Sequence, residues 1–142
     1  GASPRRTAAL EGLELIADSY LSVGTPVQVA AADLLRRGAD IRDGIIGRAR
    51  ENLATLRRLA QGFPGTSVLA CEGGWYAVIR VPATRAEEDL VLGLLDRERI
   101  LVHPGYFFDF PREAYLVTSL LPVPRVFSDA AARMLQFTST SV

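Results

Sequence analysis

Two apolar runs separated by an aromatic turn set the strictest limit on how this chain folds. Ile100-Leu101-Val102 leads into His103-Pro104-Gly105, and three aromatics follow at Tyr106, Phe107 and Phe108. After Asp109-Phe110-Pro111 a second run extends from Tyr115 to Leu121. Short apolar runs bounded by proline and glycine read as buried strands. The stretch predicts strand, turn and strand, the first starting at Ile100 and the second closed off by Pro122 and Pro124. Buried strands need other layers against them, and the remaining sequence supplies helices.

Leu10, Leu13, Ile16, Ala17 and Tyr20 recur at helical spacing, with Glu11, Glu14 and Asp18 largely opposite; this predicts an amphipathic helix over about 7–21. Thr25-Pro26-Val27-Gln28 has the form of a capping box, with Thr25 as N-cap, Pro26 in the first helical position, and a helix running to Arg37 before a left-handed Gly38. A longer helix starts at Asp40 or Asp43 and ends near Gly62, its stripe formed by Ile45, Ile46, Ala49, Leu53, Leu56 and Ala60. Gly44 and Gly47 lie within it and mark either a close backbone approach or a later start. Ser67–Cys71 and Trp75–Val81 form a hairpin across Glu72-Gly73-Gly74. Thr84-Arg85-Ala86-Glu87 is a second capping box, opening a helix with Leu90, Val91, Leu94 and Leu95 inward. A last helix covers Val126 to about Gln136, leaving a loose tail from Phe137. The order predicts an α/β chain of the α+β type: a small mixed sheet containing an antiparallel hairpin, covered by helices on one face.

Composition narrows the function. The net charge is zero, which offers no electrostatic case for nucleic acid or an anionic membrane. No apolar run reaches the roughly 20 residues a spanning helix needs, and no apolar segment of a signal peptide follows the N-terminus. One cysteine, Cys71, rules out an internal disulfide, points to a reducing, cytoplasmic setting and reads as structurally buried. One histidine and one cysteine cannot make a His/Cys zinc site, so no metal is expected. No nucleophile elbow, Walker loop or dinucleotide fingerprint is present. All sixteen cations are arginine.

Four segments in order carry a family resemblance: "SYLSVGTPVQVAAADLL", "RARENLATLRRLA", "EGGWYAVIRVP" and "ILVHPGYFFDF" with the following "AYLVTSLLPVPRVFSDAAARML". Together they resemble the C-terminal part of the class I/II, fold type I, pyridoxal-phosphate-dependent aminotransferases, from about Leu13 onward. The resemblance implies a single domain over 1–142, with a helical lead-in over 1–38 and the small domain proper over 39–142. In the full-length enzyme such a domain closes over cofactor, amino acid and 2-oxo acid. It works beside a large cofactor-binding domain, and the enzyme is expected to be a homodimer. The cofactor rides as a Schiff base on a lysine amine. These 142 residues hold no lysine, so this chain alone is expected to be inactive and to hold no cofactor, and no catalytic residue is assigned within it.

The resemblance places Ser22 and Thr25 near the cofactor phosphate, although Thr25 also reads simply as a helix cap. Gly105 and Tyr106, with Trp75 and Tyr76 beside the glycine turn, are the substrate-side candidates; Phe107 and Phe108 either wall the same pocket or plug the core. The family's carboxylate-gripping arginine is missing, because Val117 or a neighbour stands at its position. Arg80, Arg112 and Arg125 are the substitutes in range, each also readable as a surface charge. The missing arginine keeps a second function open: a non-enzymatic ligand-binding module derived from an aminotransferase, as in some transcriptional regulators. His103, without an identifiable carboxylate partner, reads as structural.

Overall fold

The computed structural model describes residues 3–19, 23–112 and 114–140. The chain forms two compact units, Gly1–Asp40 and Ile41–Val142.

The first unit contains helices α1 (Pro4–Ser19) and α2 (Thr25–Arg37), and neither buries a residue. Their apolar side chains, Leu10, Leu13 and Ile16 on α1 and Val27, Leu34 and Leu35 on α2, are all more than half exposed. Tyr20, Leu21 and Ser22 lie outside the described residues. The start of α2 departs from the expected capping box. Gly24 is the N-cap, Thr25 is already helical, and Gln28 Nε2 donates to the Val23 carbonyl at 2.6 Å. Proline still sits in the first turn, where its missing N–H costs nothing. Gly38 is not left-handed, with φ −81°. It is glycine for space: a Cβ there would meet the Leu34 carbonyl at 2.9 Å.

The second unit is built on a four-stranded sheet in the order β1 (Ser67–Val68), β2 (Tyr76–Arg80), β4 (Tyr115–Ser119), β3 (His103–Pro104). The α+β class holds, and the sheet expected to be mixed pairs antiparallel at all three described junctions. The long strand expected from Ile100 shrinks to two ladder residues. Ile100 and Val102 are buried and Leu101 exposed, so the lead-in is extended, yet only His103 and Pro104 pair with β4. Pro104 has no N–H to donate, which suits an edge strand and not a central one.

Helix α3 (Ala39–Ala60), α4 (Glu87–Gly93) with its π-helical continuation Leu94–Glu98, and α5 (Pro124–Ser139) supply the other layer. Leu56, Ile79, Leu90, Leu94, Leu116, Leu120 and Leu135 are at most 1% exposed and centre the core. Burying a leucine contributes about 1.5–3 kcal/mol, so this cluster dominates the unit's stability. Gly44 and Gly47 make no close approach, since a Cβ at either would meet nothing within 4 Å. Residues 137–139 are helix and not tail: Thr138 is buried and Phe137 packs against Gly93, whose absent Cβ would lie 2.8 Å from Phe137 Cζ. Cys71 is half-buried, with its thiol 3.4 Å from the Gly73 and Tyr76 carbonyls.

Candidate functional site

Directly opposed residues in a sheet share a face, so register sorts the side chains. Ala77, Ile79 and Leu116 turn to the core. The other face carries Tyr76 opposite Ser119, Val78 opposite Val117 beside His103, and Arg80 opposite Tyr115. Val117 is buried yet is no member of the core cluster, as this parity requires.

The aromatic turn stands at one end of this second face. Gly105–Phe108 is a single 3₁₀ turn, stopped by Asp109 in the left-handed region at φ 56°. Gly105 is buried and has to be glycine: a Cβ would come within 2.7 Å of Tyr115 Cβ and 3.0 Å of Glu87 Oε1. Tyr106, Phe107 and Phe108 are 50%, 63% and 50% exposed, so none plugs the core. The Tyr106 and Phe107 rings meet edge-on at 5.0 Å, His103 lies 6.1 Å from both Phe107 and Phe108, and Phe110 stacks on Tyr115 at 4.7 Å. The result is a half-wet aromatic rim beside Tyr115 and Arg80.

Trp75 and Tyr76 occupy the other end, about half exposed, with ring centroids 6.4 Å apart. Tyr76 pairs with Ser119 and Arg80 with Tyr115, so the two groups are separated by the length of β4, roughly 14 Å at 3.4 Å per residue. The four substrate-side candidates thus bracket the second face and do not form one cluster. Thr25 is exposed on α2 in the other unit, and Ser22 lies outside the described residues. Of the three candidate arginines, Arg80 alone is on the face that holds Val117; Arg112 is exposed in the loop before β4, and Arg125 in the first turn of α5. Arg133 on α5 is held above the ordinary arginine range by hydrogen bonds to Glu98 first and Asp129 second. It is exposed and charged throughout. Among the described residues no cluster of three His, Cys, Asp or Glu could hold a metal ion.

Two residues take roles that the sequence did not point to: Glu87, expected to close a capping box, and Asn52. Glu87 is 1% exposed and caps no helix; its carboxylate accepts from the backbone N–H of Tyr106 at 3.1 Å and of Tyr115 at 2.7 Å. Asn52 is fully buried on α3, donating to the Leu120 and Pro122 carbonyls at 2.9 and 2.8 Å. The visible signal for Asn52 is a polar residue inside the stripe running from Ala49 to Leu56.

A small antiparallel sheet with helices on one face and an aromatic proline–glycine turn at its edge is also the fold of the matching segments of solved aminotransferases, and this chain is similar to those segments in fold. Alanine aminotransferase of Mycobacterium tuberculosis is 29% identical over 143 residues, taking in 96% of this chain and 33% of its own length. Among solved structures, alanine aminotransferase from Pyrococcus furiosus superposes with a TM-score of 0.71 at 20% identity, covering 96% of this chain and 35% of that one. A PLP-dependent aminotransferase from Streptococcus suis gives 0.68 at 21% identity, covering 88% and 33%. No family model matches. The chain spans about a third of the length of the curated relatives it matches.

Proposed function

We propose that this chain is the closing lobe of a pyridoxal-phosphate-dependent aminotransferase that exchanges an amino group between an amino acid and a 2-oxo acid. The carrying observation is the match to an alanine aminotransferase over nearly the whole chain. The fold supports it by leaving one sheet face, rimmed with aromatics, turned away from the core. In this reading Tyr106 on Gly105 bounds the substrate side chain at one end of that face, and Trp75 and Tyr76 bound the other. A large domain and a second copy of the whole protein complete the cavity, and closure of the lobe excludes water.

The residues present do not fit covalent attachment of the cofactor. None of the 142 is lysine, so no ε-amine exists here to carry it, and the group's chemistry belongs to residues outside this chain. Thr25, and Ser22 with it, would contribute only hydroxyls to its phosphate.

Arg80 takes the substrate carboxylate in this reading. It stands on Val117's face, opposite Tyr115, and its guanidinium enters none of the described salt bridges. A planar guanidinium suits a bidentate grip. In this reading Arg80 stands in for the arginine missing at Val117, the absence that favoured a purely regulatory module. The test is transamination from alanine by the protein expressed from its full reading frame. Arg80→Ala should raise KM for the amino acid by about 10- to 100-fold, the equivalent of one charge-assisted pair. No turnover in the unaltered protein sinks the enzymatic reading and leaves the regulatory one.

A further inference from the structure

The aromatic turn raises a physical question: what holds it? Its three rings are half exposed or more, so burial does not fix them. The backbone must, and the bonds that do so come from a carboxylate. Glu87 opens α4, is 1% exposed, and meets no cation in the described salt bridges. A buried carboxylate is expensive unless its oxygens are hydrogen-bonded. Here Oε2 accepts from the Tyr106 N–H and Oε1 from the Tyr115 N–H, donors 19 and 28 residues along the chain. These two amides flank Gly105, whose missing Cβ lets Glu87 and β4 close in. One side chain therefore ties α4, the turn and the start of β4 at a single point.

We propose that Glu87 is a positioning residue that fixes the aromatic turn at the edge of the sheet, so that Tyr106 meets the substrate side chain from a preset backbone. The ligand half of this rests on the aminotransferase reading; the tie itself does not. A carboxylate can accept two bonds at once from separate donors, whereas a glutamine amide offers one oxygen and turns its NH₂ against the second donor.

Amide hydrogen exchange on this chain tests the tie. Glu87→Ala is expected to speed exchange at Tyr106 and Tyr115 tenfold or more, with the Leu69 amide, bonded within the β1–β2 hairpin, unchanged. Glu87→Gln, which keeps size and shape, should retain protection at one of the two amides and lose it at the other. Uniform acceleration that includes Leu69, or full protection at both amides in Glu87→Gln, overturns the tie. In the full-length protein turning over alanine, Glu87→Gln should raise KM for the amino acid about fivefold with kcat within twofold. An unmoved KM overturns the positioning role alone, whereas absence of turnover in the unaltered protein overturns the reading it rests on.

Discussion

At Asn52 a single side chain joins a helix to the segment after the last strand. Its Nδ2 donates to the carbonyls of Leu120, which is buried, and Pro122, which is exposed. Asn52→Ala removes both bonds. Leaving the buried Leu120 acceptor unsatisfied costs about 1–3 kcal/mol, and we expect a loss of that size in urea unfolding with an unchanged m-value. Gly105 is the steric counterpart. A Cβ there strikes Tyr115 Cβ at 2.7 Å, an atom fixed to its backbone that cannot swing aside. Gly105→Ala should cost about 1–3 kcal/mol and shift the near-ultraviolet circular dichroism of the turn's rings. Neither residue's partner was legible in the sequence. Proline–glycine marked the turn, but nothing local says that the glycine faces Tyr115 and Glu87, because those contacts are set by strand register.

Among the elements, those with a strong period came through and those inferred from end signals did not. Helix α3 shows its stripe in sequence, and Ala49, Leu56 and Ala60 are buried on it with Leu53 partly buried, whereas Ile45 and Ile46 at its N-terminal end are exposed. Both capping boxes failed, for different reasons. At Thr25 the helix begins one residue early, on Gly24, and at Glu87 the carboxylate is drawn to amides far along the chain. A capping motif states what a helix start could use locally, and tertiary donors outbid it. The pairing of β1 with β2 was readable from alternation and the glycine turn, but β1, expected over Ser67–Cys71, is only Ser67–Val68, and β3 was overread in the same way, because an apolar run does not reveal how far a ladder partner extends alongside it. Helix α3 also carries a stabilising opportunity. Gly44 and Gly47 are helical, and a Cβ at either meets open space. Gly44→Ala and Gly47→Ala should each stabilise the chain by about 0.5–1 kcal/mol, read as a higher melting temperature.

On the scale of the whole chain, the two units contrast in what they bury. The second unit has a leucine-centred core, while α1 and α2 bury nothing and expose Leu10, Leu13, Leu15, Ile16, Val27, Val29, Leu34 and Leu35, each at 53% or more. Apolar residues concentrated this way on two short helices have little to stabilise them in water, since helices of this length draw most of their stability from packing an apolar face. Two consequences follow and can be separated. Hydrogen exchange over Pro4–Ser19 and Thr25–Arg37 should be fast, near that of an unfolded peptide, while the core amides of α3 and β2 remain slow. The exposed apolar side chains of the two helices favour association with another surface, a second copy included. Sedimentation velocity across a wide dilution series should then show reversible self-association. Leu13→Glu with Leu34→Glu places one charge among the exposed apolar side chains of each helix and should abolish that association without moving the unfolding midpoint of the second unit. Association that persists in the double variant would place the contact elsewhere on the surface, and the aromatic rim at Tyr106–Phe108 would be the next surface to charge.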